Sequence, residues 1–119
     1  MEPFRIVANI YYVGTADLGC YLIATPEGHI LIDAGLPETP ARIRASVAKL
    51  GFRLEDIKVQ LGTHAHAEHA GGLAELEPAT GARLYVGAAD AAQFAAGGKG
   101  DFHWGDRLPF PPVVAEELL

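Results

Sequence analysis

Apolar residues in this chain come in short runs separated by glycine, proline and small polar residues, the pattern of strands alternating with short helices. Phe4 to Val13 is rich in Ile, Val and Tyr and reads as one strand, broken at Gly14. Cys20-Tyr21-Leu22-Ile23-Ala24 and His29-Ile30-Leu31-Ile32-Asp33 flank the turn residues Thr25-Pro26-Glu27-Gly28, which predicts a hairpin with a four-residue loop. Beyond the breaker Ala34-Gly35-Leu36-Pro37 the period changes. Ile43, Val47 and Leu50 recur at helical spacing, with Thr39 as N-cap, Pro40 at the first helical position and Gly51 just past the end. Leu54 to Ile57 leads into a short strand, Lys58 to Gly62. A helical stretch around Leu73-Ala74-Glu75-Leu76 runs into Pro78, Arg83 to Val86 is a further strand, and Ala88 to Ala96 a further helix. After Gly97 the chain reads as loop, with Glu116 and Glu117 in a solvated tail. The order β-β-β-α-β-α-β-α predicts an α/β fold, a sheet with helices packed on it, in a single domain over 1–119.

Composition narrows the function classes. The 119 residues are 50% apolar and 20% charged, enough to bury a core. A formal net charge of -6 argues against a nucleic-acid partner, which calls for a basic face. The single cysteine, Cys20, excludes an intrachain disulfide and a cysteine zinc cage, and reads as a small buried hydrophobe. No apolar run reaches the roughly 20 residues that span a bilayer, so no membrane role is expected. Met1-Glu2-Pro3-Phe4 lacks the charged-then-apolar pattern of a secretory leader.

The chemistry is concentrated in residues 63 to 72, Thr-His-Ala-His-Ala-Glu-His-Ala-Gly-Gly, directly after an apolar strand. Three of the five histidines and one carboxylate fall within six positions. On an extended chain, residues two apart share a side, so His64, His66 and Glu68 are expected to project together. His69 joins them only if the chain turns, which Gly71-Gly72 would allow. Imidazole and carboxylate at this density are the donor set zinc takes.

The run His64-Ala-His66-Ala-Glu68-His69-Ala-Gly71-Gly72 resembles the His-x-His-x-Asp-His-x-Gly-Gly signature of the metallo-β-lactamase superfamily. The flanks Ile10-Tyr-Tyr-Val-Gly14, Gly28-His-Ile-Leu-Ile-Asp33-Ala-Gly35-Leu-Pro37 and Gly100-Asp-Phe-His-Trp-Gly105-Asp106 are similar to the third subclass of metallo-β-lactamases. The resemblance implies one or two zinc ions, with His64 and His66 on one and Glu68 and His69 on the other. It also implies attack of a zinc-bound hydroxide on the carbonyl of a β-lactam-like substrate, and a periplasmic or secreted origin. Glu68 and Asp33 are the residues it ties to catalysis, Asp33 by lying beneath the metals and orienting the motif loop.

Two departures from the family pattern shape the expectation. Glu68 stands where the family has Asp. Its carboxylate is one methylene further out, and a displacement of about 1 Å can cost on the order of a hundredfold in rate. Weakened catalysis with retained metal follows. The family also continues into a second half that supplies further histidines, so this chain offers two ligands per zinc where three are usual at catalytic zinc. His29, in the hairpin turn, and His103, in the C-terminal loop, are the remaining candidates. Phe102, His103 and Trp104 resemble the loop flanking the substrate cleft. The expected fold is therefore one helix–sheet half of the αββα sandwich, its open apolar sheet face completed by a second copy in a homodimer. The rival expectation is a zinc-binding, catalytically silent homodimeric half-domain.

Overall fold

The computed structural model describes residues 1–101 and 105–119. Among these residues seven strands form one sheet in sequence order. β1 (Phe4–Val7), β2 (Ile10–Tyr12), β3 (Tyr21–Ile23) and β4 (His29–Ile32) pair antiparallel in succession. From β4 onward, β5 (Ile57–Gly62), β6 (Arg83–Val86) and β7 (Glu117–Leu118) run parallel. The parallel strands are joined through helices, as parallel pairing requires: α1 (Pro40–Lys49) before β5, α2 (Ala67–Ala70) and α3 (Leu73–Thr80) before β6, and α4 (Ala91–Ala95) after it. Among the described residues no helix is long and apolar enough to cross a membrane.

The alternation of the strands sorts the sheet into two faces. Leu22, Leu31, Gln60 and Leu84 lie side by side in register and are fully or almost fully buried. Ile43 and Val47 of α1 and Leu73 and Leu76 of α3 belong to the same buried cluster. On the opposite face, Tyr12, Tyr21, Ile32, Leu61 and Tyr85 form one row, and Ile10, Ile23, Ile30 and Val59 the next. Among the described residues no helix covers these rows, and most of their residues are only half-buried. One helix–sheet half is what the family resemblance implies, and an open apolar face is what strands apolar on both sides predict.

Several local expectations change. The predicted first strand is two strands, because Ala8 takes φ +49 and turns the chain, while the Asn9 side chain donates to the Ala24 carbonyl at 2.8 Å. Thr39 does not cap α1 through its side chain; its Oγ1 accepts the Leu36 N–H at 2.9 Å and closes the preceding turn. α3 runs through Pro78 to Thr80. Proline's missing N–H costs one bond near the end of a short helix, and Gly81 closes it at φ +69. The helix expected over Ala88 to Ala96 is a 3-10 turn, Ala88–Asp90, followed by α4. Glu117 is not tail but part of β7, where its carboxylate pairs with Arg83.

Candidate metal centre

The motif sits at the carboxyl ends of the parallel strands, where α/β sheets place their ligands. Asp33 follows β4 and Thr63-His64 follow β5. Asp33 is a non-glycine residue at φ +61, a conformation Asp tolerates better than most residues. Its own N–H donates to the Leu61 carbonyl at 2.9 Å, which ties the turn to β5.

From that position the Asp33 carboxylate gathers the motif. Oδ1 accepts the Thr63 backbone N–H at 2.8 Å, and Oδ2 accepts the Thr63 hydroxyl at 2.5 Å. Oδ2 also lies 2.9 Å from Nδ1 of His69. Ala34 N–H donates to the His69 carbonyl at 2.9 Å, so both the backbone and the side chain of His69 are held from the end of β4.

The chain through the motif is not extended beyond His66. His66 is the last extended residue (φ -120, ψ 151), and α2 begins at Ala67. The two-residue alternation therefore applies to His64 and His66 only; Glu68 and His69 are placed by a helical turn. The imidazole centroids lie 6.5 Å apart for His64 and His66 and 4.7 Å apart for His64 and His69. Glu68 Oε1 stands 3.7 Å from His66 Nδ1. The glycines do not make the turn, since Gly71 has φ -58 and Gly72 φ -93. They permit close approach instead. A Cβ on Gly71 would meet the Ala67 carbonyl oxygen and Pro37 Cδ at 2.5 Å, and one on Gly72 the Ala34 carbonyl oxygen at 2.5 Å.

Each motif histidine has one ring nitrogen engaged. Nδ1 of His64 is 3.1 Å from the Thr63 hydroxyl, Nδ1 of His69 faces Asp33, and Nε2 of His66 lies 2.9 Å from Oδ1 of Asp101. Among the described residues that leaves His64 Nε2 and His69 Nε2 without a hydrogen bond and His66 Nδ1 with only Glu68 Oε1 at 3.7 Å, the arrangement in which zinc-binding histidines are held by an acceptor on the other nitrogen. In kind, the donors fit zinc. In arrangement, no three His, Cys, Asp or Glu side chains among the described residues come together closely enough to hold one ion.

Asp101 was not legible as a site residue. It lies 35 positions from His66 in a loop, and its carboxylate is nearly buried. His29, a remaining ligand candidate in the hairpin turn, is instead buried at the opposite end of β4 from the motif, packed edge-on against Phe52 and accepting the Thr25 N–H on Nδ1 at 3.2 Å. Phe102, His103 and Trp104 lie outside the described residues. Cys20 is fully buried, and that burial, with the Asp33 carboxylate as a smaller cause, pushes its thiol up to about 12.

The metallo-beta-lactamase superfamily pattern matches residues 20–118. The chain belongs to that superfamily. A metallo-beta-lactamase of Cronobacter sakazakii with a HARLDQ motif is 48% identical, superposes with a TM-score of 0.96, and is matched over 98% of this chain and 47% of its own. The class B3 di-zinc metallo-beta-lactamase LRA-12, from an Alaskan soil metagenome, is 42% identical with a TM-score of 0.96 over 100% of this chain and 46% of its own. An N-acyl homoserine lactonase of Bacillus cereus is 30% identical over 44% of this chain and 30% of its length. This chain thus spans about half the length of the solved relatives it matches. Within the superfamily, the first helix–sheet half of the metallo-beta-lactamase fold is the part it supplies, and the third-subclass flanks agree with the class B3 neighbours.

Proposed function

We propose that this chain forms the histidine-bearing half of a zinc-dependent hydrolase that opens β-lactam rings. The observation that carries the reading is the Asp33 hub. One buried carboxylate holds Thr63 and His69 together, while Asp101 holds His66. Such anchoring fixes ring orientation and leaves one nitrogen of each imidazole for a metal. His64, His66, Glu68 and His69 would hold the zinc. When bound, zinc supplies Lewis acidity, lowering the pKa of water and polarising a carbonyl. The chain's own residues orient and hold: Asp33 keeps the His69 Nδ1 proton in place, and Gly71 and Gly72 let α2 lie against the Ala34–Pro37 turn. Turnover of a chromogenic β-lactam with added zinc, abolished by chelator, is the expected result. A folded, zinc-loaded protein without turnover would contradict it.

The two open rows on the sheet favour a further element, a second copy of this chain seated face to face. Tyr12, Tyr21, Ile32, Leu61 and Tyr85, with the isoleucines beside them, form a continuous apolar surface of the kind that marks an interface. Isologous pairing puts the same rows against each other without any new sequence. If the assembly binds zinc and shows no turnover, the silent homodimeric half-domain replaces the hydrolase. Sedimentation at micromolar concentration is expected to give a dimer; a clean monomer would remove the pairing.

A further inference from the structure

We propose that the cavity beside the histidines selects substrates carrying a protonated amine away from the bond that is broken, with the Asp90 carboxylate as acceptor. The inference rests on the hydrolase reading for the chemistry at the histidines and extends it to the substrate's other end.

The cavity has a volume of about 330 Å³. One wall is His64 and His66, at the carboxyl end of β5. Among the described residues Asp90 and Gln93, from the turn and helix after β6, and Gly100 and Asp101 also line it. Asp90 occupies the position before the first residue of α4, where an aspartate commonly caps the helix through its side chain. It makes no such bond, and its exposed carboxylate has no hydrogen-bond or ion-pair partner among the described residues. The fold therefore makes no evident use of this charge. Gln93 adds an amide whose Oε1 is shielded from solvent and lacks a partner among the described residues. Asp101 is committed to His66 at 2.9 Å.

Among the described residues neither lysine nor arginine lines the space, and the fixed charge they bring to it away from the imidazoles is acidic. A carboxylate placed against Asp90 would meet like charge. An ammonium would meet an acceptor not already engaged, in a charge-assisted hydrogen bond. With a cation at the histidine wall, the cavity is bipolar: the carbonyl end of a substrate belongs at the histidines and its hydrogen-bond donor at Asp90.

The test uses the whole chain, without zinc, and two small probes that differ by one group, phenylglycinamide with its ammonium and phenylacetamide without it. Binding is followed by NMR through the backbone amides of Ala65 and Gly100. The ammonium probe is expected to bind about fivefold more tightly, in the range of a partly exposed charged hydrogen bond. Asp90→Asn, which keeps a residue suited to the start of a helix, is expected to bring the two affinities together, and Asp90→Glu to restore the difference. Equal affinities in the parent, a preference untouched by Asp90→Asn, or no shift with either probe at tens of millimolar would each overturn the proposal. Because the measurement needs neither metal nor turnover, a failure of hydrolysis would leave it standing. Intact hydrolysis without the preference would remove this inference alone.

Discussion

Oδ2 of Asp33 lies 2.9 Å from Nδ1 of His69, a contact that bridges 36 residues and joins the end of β4 to the turn of α2. The same carboxylate accepts both the N–H and the hydroxyl of Thr63. Asp33→Asn is the substitution that isolates its charge, because Asn tolerates the same positive φ. The variant is expected to fold and to lose zinc affinity by about 10- to 100-fold, as when the outer partner of a metal-binding histidine is removed. Competition with a chromophoric chelator measures it; unchanged affinity would detach Asp33 from the site.

Gly71→Ala tests the packing that delivers His69. Its Cβ would enter a space already occupied at 2.5 Å by Ala67 and Pro37. Both neighbours are backbone or ring atoms with little room to move. A loss of about 1–3 kcal/mol in urea unfolding is expected, the usual range for overpacking. Unchanged stability would show that the Leu36–Pro37 turn yields freely.

Gln60 presents the opposite case. It is fully buried between Leu31 and Leu84, and neither Nε2 nor Oε1 finds a partner among the described residues. Gln60→Leu, nearly equal in volume, is expected to stabilise the fold by about 1–2 kcal/mol by removing an unsatisfied buried amide. Destabilisation would mean that an internal water serves the amide.

Glu77 supplies the pH dependence. Desolvation, with nearby Glu116 as the smaller cause, holds its carboxyl above the usual carboxylate value. A raised folded-state pKa favours the protonated form, so the stabilising contribution is complete below the unfolded value of about 4.5 and is lost as pH rises through the folded one. Ionised Glu77 therefore costs stability at neutral pH. Glu77→Gln is expected to raise Tm at pH 7, with the gap to the parent closing as pH falls towards 4. A gap that is independent of pH would contradict this.

What the sequence made legible follows from how local each signal is. The hairpin at Thr25 to Gly28 and helix α1 carry their own turn and breaker residues, and both form where the pattern puts them. The motif was legible because four metal-type side chains crowd six positions. Its turn was not, because α2 is set by Asp33 and the Ala34 N–H reaching across from another strand. The break at Ala8 carries no glycine or proline to announce it. β7 is two residues whose strand character comes only from pairing with β6, and Asp101 gains its role only when the fold brings it to His66.

The most direct measurement is imidazole ¹⁵N NMR of the histidines during zinc titration. The expected result is a zinc-dependent shift at His64 Nε2, His66 Nδ1 and His69 Nε2, with His69 Nδ1 remaining protonated against Asp33 and His66 Nε2 against Asp101. A titration in which these three nitrogens are unmoved at saturating zinc, or in which zinc takes the nitrogens that Asp33 and Asp101 hold, would contradict the assignment of this motif as the metal centre.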